Sequence, residues 1–221
     1  MKKLPYRTIY LDFPDISHVM KEAGIPPSRT DPDGTPRYTV PSIIDHSTGA
    51  AVTDSYEIAQ YLDTQYPDTP KAFPVGTEAL QAAFYCYFND QIRDLVLFFI
   101  PSIPKILNDS SLEYYHTTRK AMFGNKAVEE IRPVGEEYEK TWARLGELLD
   151  NLDGWYKKSS GRFLVGGDQA SFADFTVAGM ISVVRTVCGE ENEDWKKLSG
   201  MNGGRWVKLL SDLEEYASME N

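Results

Sequence analysis

Cysteine and histidine are scarce in this chain of 221 residues, which has two of the former and three of the latter. Cys86 and Cys188 stand alone in apolar, helix-patterned surroundings, which excludes a disulfide framework. His18, His46 and His116 share no ligand spacing with them, so no metal site is expected. Long apolar runs are missing too, and no stretch approaches the roughly 20 residues that a membrane-spanning helix needs. Positive charge is in the minority: 23 Lys and Arg against 33 Asp and Glu give a formal net charge of −10. Such a surface repels phosphate backbones and anionic bilayers, so neither nucleic acid nor membrane is expected as a partner. The opening MKKLPYRTIYLDF breaks into Pro5, Arg7 and Asp12 where a signal peptide stays apolar, and a cytoplasmic location is expected. There is no P-loop and no GxGxxG.

What is present is enough apolar residue, 42%, for one large core or two modest ones. The pattern changes near residue 67. Before it, β-type runs alternate with helical ones. Residues 4–13, LPYRTIYLDF, are rich in aromatic and β-branched types and predict a strand. Residues 15–23 predict a short helix ended by Gly24 and two prolines, and 26–36 a turn-rich loop. DPDG at 31–34 reads as a turn within it, since the later acidic ligands of a calcium loop are missing. Residues 40–45 and 50–53 predict a hairpin around HSTG, and 55–66 a helix. PDTPKAFPVG has three prolines and the look of a linker.

Helical patterns follow. An aromatic helix is expected over 78–100, broken by Pro101 and Pro104, and a charged amphipathic one over 126–157 with Pro133 kinking it or marking its start. A last helix is expected over 204–217. In SFADFTVAGMISVV, Ser171 and Asp174 have the spacing of a capping box ahead of a helix apolar almost all round, which predicts burial at the centre of its domain. The aromatic residues Phe84, Tyr85, Tyr87, Phe88, Phe98 and Phe99 form a core stripe by default; the alternative is a cleft for a flat hydrophobic ligand. Asn108-Asp109-Ser110 is a glycosylation sequon, of little meaning without a secretory signal.

The stretch TVPSIIDHSTGAAVTDS carries the strongest chemical hint. Proline gives a sheet no donor, so Pro41 is either an ordinary edge proline or a turn that leaves the Val40 N–H and C=O facing outward. An outward pair of that kind is a short free strand edge on which a small extended peptide docks. Asp54-Ser55 opens a helix, where unsatisfied amides collect and attract a carboxylate. Ser55 is a donor for that carboxylate and Asp54 a partner for an ammonium group. The competing reading makes Asp54 an N-cap with Glu57 completing the box.

The order VPSI, hairpin, DSYEIAQYLDTQYP, proline-rich segment and long helical half resembles the glutathione transferase family. Within it, LPYRTIYLDFPDI and YTVPSIIDHSTGAAVTDSYEIAQYLDTQYPDTP are most similar to the fungal branch related to bacterial etherases. The resemblance covers nearly the whole chain. It implies an α/β plus all-α fold: an incomplete thioredoxin-like domain over residues 1–66, a linker over 67–77 and an all-helical domain over 78–221. It implies glutathione as co-substrate, held by Val40 at its cysteinyl backbone, by Pro41 as a cis-proline, and by Asp54 and Ser55 at its γ-glutamyl end. It implies a homodimer with an acceptor site for small hydrophobic or aromatic compounds. The expected activity is conjugation or thiol-dependent ether cleavage, or else storage of aromatic molecules without turnover.

One departure accompanies it. Family members carry a strand and a helix ahead of the strand that LPYRTIYLDF resembles, with the catalytic serine, tyrosine or cysteine between them. Met1 stands three residues before Leu4, so no residue of this chain matches the catalytic position. Three outcomes are open: residues 4–13 shift inward to pair with 40–45, the small domain loosens, or the sequence is an incomplete version of a longer protein. The last is favoured here, because every other family feature is in place.

Overall fold

The computed structural model describes residues 1–93, 96–165 and 167–217. The chain divides into two compact units: Met1–Ala72 with Asn108–Tyr115, and Phe73–Leu107 with the residues from His116 onward.

In the first unit, α1 (Ile16–Glu22) is followed by two small antiparallel hairpins and α2 (Ser55–Gln65). Strands β1 (Arg29–Thr30) and β2 (Pro36–Arg37) pair Arg29 with Arg37 across DPDG, which folds as a turn. There the Gly34 N–H donates to the Asp31 carbonyl at 2.9 Å, and Gly34 takes a φ of 85°. The Asp31 carboxylate is committed to Arg29 and Arg37. Strands β3 (Ser42–Asp45) and β4 (Ala50–Thr53) pair in the register Ser42 to Thr53 through Asp45 to Ala50. Their turn is tied to α2 through one carboxylate. Asp45 Oδ2 accepts from the Tyr61 and Tyr66 hydroxyls at 2.7 and 2.6 Å, and Asp45 Oδ1 accepts from Ser47 Oγ at 2.7 Å. These donors hold the Asp45 carboxyl far below the ordinary carboxylate range, Ser47 most strongly, then Tyr66 and Tyr61.

Residues 4–13 correct the sequence expectation: they form no strand. β-type residues make a strand only against a ladder partner, and none of the described residues supplies one. The segment is instead a strap fastened at both ends. Lys2 Nζ lies 2.5 Å from Asp63 Oδ1 on α2. At the far end Asp12 accepts from Asn108 Nδ2 at 2.9 Å and Ser110 Oγ at 2.6 Å, while the Phe13 N–H donates to Ser111 Oγ at 3.1 Å. Between these ties residues 5–10 are exposed throughout.

The second unit is helical. α3 (Glu78–Ile92) is shorter than the expected span over 78–100; Asp94 and Leu95 lie outside the described residues, and α4 (Val96–Phe99) precedes a 3₁₀ turn over Ile100–Ile106. That turn holds Pro101 and Pro104, whose missing N–H groups forbid a continued α-helix. Two helices escaped the sequence reading: α5 (Asp109–Met122), whose residues up to Tyr115 belong to the first unit, and, later in the chain, a short one over Glu193–Gly200. α5 buries only Ser111 and Tyr115, too few apolar positions to show a stripe. α6 (Gly135–Tyr156) begins two residues after Pro133 and buries Trp142, Leu145, Leu148, Leu149, Leu152 and Tyr156 at spacings of three and four. α7 (Phe172–Cys188) meets that stripe with Val177, Ile181 and Val184. α8 (Glu193–Gly200) and α9 (Arg205–Asp212) close the core with Trp195, Leu198, Trp206 and Leu209. Burying side chains of this size stabilises by about 1.5–3 kcal/mol each.

α7 is anchored by a buried hub. Ser171 caps it, and the fully buried Asp174 accepts from the Ser171 N–H (2.8 Å), Ser171 Oγ (2.7 Å), the Leu164 N–H (2.8 Å) and the Tyr156 hydroxyl (2.9 Å). Gln81, also fully buried, accepts from the Ala173 N–H at 3.0 Å. Among the described residues, no helix is long and apolar enough to cross a membrane.

Candidate functional site

Strand β3 is entered through Thr39, Val40 and Pro41, and the Val40-Pro41 peptide bond is cis. Hydroxyl contacts fix the approach. Ser42 Oγ lies 2.8 Å from Thr53 Oγ1 and 3.2 Å from the Thr39 carbonyl oxygen, which Thr53 Oγ1 also approaches at 3.5 Å. The Thr39 carbonyl is thereby turned toward the hairpin. Val40 is left 57% exposed, and among the described residues its N–H and C=O take no hydrogen bond. The main-chain pair is left available to an extended ligand.

The other half of the site is the start of α2. Because Ser42 pairs with Thr53, the segments carrying Val40 and Asp54 leave the hairpin at the same end. Asp54 caps α2: its Oδ1 accepts the Tyr56 N–H at 2.8 Å and, less closely, the Glu57 N–H at 3.4 Å. Its backbone is at φ 76° and ψ 132°, a region that is essentially glycine's own and costs a residue with a Cβ on the order of 1–3 kcal/mol. Glycine in that place would relieve the strain but provide no carboxylate. Sequence reasoning finds the cap and misses the strain; the only hint was that Asp visits positive φ more readily than most residues. Ser55 is the first residue of α2, half-buried, beside helix-end amides that favour a negative group. Pro41 is exposed. Chemically, this end of the hairpin offers a main-chain donor and acceptor, a helix N-terminus for a carboxylate and an anionic side chain for an ammonium group.

Other candidates fall away from it. A hollow of about 400 Å³ in the same unit is lined by Tyr10, Leu11, Asp12, Asp15, Val19 and Asn108, and includes neither Val40 nor Asp54. The sequon side chain of Asn108 is spent on Asp12. Most of the aromatic stripe proves to be core: Phe88, Phe98 and Phe99 are buried, Phe84 and Tyr87 pack on Trp155, and Tyr85 packs on Phe172. Cys86 is exposed, whereas burial pushes the Cys188 thiol up. Burial likewise raises the Tyr138 and Tyr156 hydroxyls. None of these three groups is primed to give up a proton.

Comparison with known proteins gives a consistent result. The domain model for the glutathione S-transferase N-terminal domain matches residues 1–65, and that for the C-terminal domain matches residues 79–216. A glutathione S-transferase-like protein of Aspergillus flavus, ustS, is 29% identical over 221 residues, covering 94% of this chain and 77% of that protein. Among solved structures, a glutathione S-transferase of Ceriporiopsis subvermispora in complex with glutathione superposes with a TM-score of 0.91 at 36% identity, covering all of this chain and 87% of the other. A glutathione transferase of Phanerochaete chrysosporium gives 0.89 at 36% identity with the same coverage. These neighbours fit a thioredoxin-like N-terminal domain followed by a helical C-terminal one.

Proposed function

The chain belongs to the glutathione S-transferase family, and from that premise we propose that it binds glutathione at the end of the β3–β4 hairpin. Val40 pairs with the cysteinyl backbone beside Pro41, and Asp54 and Ser55 hold the γ-glutamyl ammonium and carboxylate. The observation that carries this reading is the exposed Val40, whose main chain takes no hydrogen bond among the described residues, at the end of the hairpin from which the strained Asp54 also departs. The similarity to a relative solved in complex with glutathione supports the identity of the ligand.

On this reading the protein presents the glutathione thiol to small hydrophobic or aromatic compounds and works as a cytoplasmic homodimer. The thiol loses its proton, the thiolate attacks an electrophilic carbon or ether carbon, and the carbon–leaving-group bond breaks with its electron pair. The second reading is binding of aromatic molecules without turnover. Thiol consumption with a chlorinated nitroaromatic supports the first reading, and micromolar displacement of a hydrophobic dye without thiol consumption supports the second.

Asp54→Asn tests the binding site itself. Asparagine keeps an acceptor for the Tyr56 N–H and caps helices well, so the fold is retained while the charge is lost. Calorimetry is expected to show affinity for glutathione falling about tenfold, or about 1.4 kcal/mol, with little change for cysteinylglycine, which lacks the γ-glutamyl group. Equal affinity of Asp54→Asn and the native chain for glutathione, or no glutathione binding by the native chain, refutes the proposal.

A further inference from the structure

The β3–β4 hairpin and α2 are joined at two places, and only one of them is the candidate glutathione site. Asp54 connects β4 to α2 at the end of the hairpin where Ser42 pairs with Thr53. At the opposite end, where Asp45 pairs with Ala50, the Asp45 carboxylate accepts from Tyr61 in the second half of α2 and from Tyr66 at its C-cap. At about 1.5 Å per residue, these tyrosines lie roughly 9 and 16 Å along the helix from Ser55. The turn orients the carboxylate from its own side: the Ser47 N–H and Ser47 Oγ donate to Asp45 Oδ1 at 2.9 and 2.7 Å. Thr48 Oγ1, 2.7 Å from the Tyr61 hydroxyl, donates to it while that hydroxyl donates to Asp45. Hydrogen bonds to an ionised acceptor are roughly twice as strong as neutral ones, which makes this a firm second attachment.

Asp54 needs such an attachment. A residue with a Cβ keeps a backbone at φ 76° and ψ 132° only where the surrounding structure over-determines it. The cap bonds from Tyr56 and Glu57 belong to the first turn of α2 and move with it, so they do not fix the direction in which the helix leaves the strand. A tie further along the helix does fix it. We propose that Asp45, acting through Tyr61 and Tyr66, is a positioning residue for the γ-glutamyl ammonium group of glutathione. It holds α2 along the hairpin and thereby keeps Asp54 in the strained conformation that presents its carboxylate to that group. This deepens the glutathione reading and rests on it.

With the tie cut, α2 is free to tilt, Asp54 relaxes toward an ordinary helix-cap backbone, and its carboxylate leaves the place that meets the ammonium group. The approach to Val40 is fixed separately, by the Ser42 and Thr53 hydroxyls on the Thr39 carbonyl, and does not depend on Asp45. The effect is therefore confined to one end of the tripeptide.

The experiment is a double-mutant cycle, read by calorimetry of the full chain with glutathione. Tyr61→Phe combined with Tyr66→Phe keeps both rings and removes both hydroxyls. In the native background the pair is expected to weaken glutathione binding about fivefold. In the Asp54→Asn background, where the anionic partner is already gone, the same pair is expected to cost less than about twofold. Cysteinylglycine, which has no γ-glutamyl group, is expected to bind the paired variant and the native chain alike. Tyr66→Phe alone leaves Tyr61 tied and is expected to fall in between. It supplies the result if a loss of helical circular dichroism shows that the paired change unfolds α2. Glutathione binding that Asp54→Asn weakens and the tyrosine changes do not overturns this inference alone. An equal loss in both backgrounds also overturns it, since a merely structural tie acts without regard to Asp54. A native chain that binds no glutathione overturns the underlying reading, and this inference with it.

Discussion

Truncating Asp174 to alanine removes the acceptor of four hydrogen bonds from a place with no solvent access. Ser171 Oγ can turn elsewhere, but the Leu164 N–H, the Ser171 N–H and the Tyr156 hydroxyl are left without their partner. An unsatisfied buried donor costs about 1–3 kcal/mol, so the three together give roughly 3–9 kcal/mol before relaxation. Local adjustment and water entry take the lower part of that range, and we expect about 4 kcal/mol. Domains are stable by only about 5–15 kcal/mol, so the loss is severe. Asp174→Asn keeps one acceptor oxygen but turns an NH₂ group toward donors, and is expected to cost about half as much. Tyr156→Phe removes one of the donors and is milder still, about 1 kcal/mol. All four tryptophans, Trp142, Trp155, Trp195 and Trp206, lie in the helical unit, so their fluorescence reports its unfolding in urea. With a slope near 3 kcal/mol per molar urea, the alanine midpoint falls by about 1.3 M. A midpoint within about 0.3 M of the native chain, or Tyr156→Phe as damaging as Asp174→Ala, refutes the hub as described.

Two further outcomes are expected. The Asp45 carboxyl is held far below its unfolded value of about 3.9, so its contribution is complete above that pH and is lost as the pH falls toward the folded value. Asp45→Asn should therefore be less stable than the native chain at pH 7, with the gap closing on acidification to about pH 2 in thermal melts. An added Cβ at Gly161 lies 2.4 Å from the Gly167 carbonyl carbon, and backbone atoms cannot swing aside. Gly161→Ala should open the Phe163–Gly167 bridge and cost about 1–3 kcal/mol, read as a lowered Tm by calorimetry.

The parts of the fold that local chemistry dictates were legible in the sequence. The β3–β4 hairpin, α2 and the Ser171–Asp174 box follow from alternation, turn residues and i,i+3 spacing, all of which act within a few residues. Legibility ended where partners come from far along the chain. Nothing near Asp174 announces that Tyr156 and Leu164 complete its shell, and nothing in DSSLEYYHTTRKAM announces α5, whose two buried residues are Ser111 and Tyr115. Residues 4–13 failed for the opposite reason: their composition promises a strand, but strand formation depends on a neighbour that composition does not describe. At the candidate site the residue types at Val40, Pro41, Asp54 and Ser55 could be picked out. The glycine-like backbone of Asp54 could not, because its conformation is imposed by the hairpin exit and the helix start together.

The ties at the end of the strap also set an order of events during synthesis. Asp12 and Phe13 leave the ribosome early, but Asn108, Ser110 and Ser111, which receive them, are 96 to 98 positions further on. At 5–20 residues per second the segment holding Asp12 and Phe13 waits roughly 5–20 s with those groups unmet. This end of the strap is therefore closed only after about half of the chain has been made.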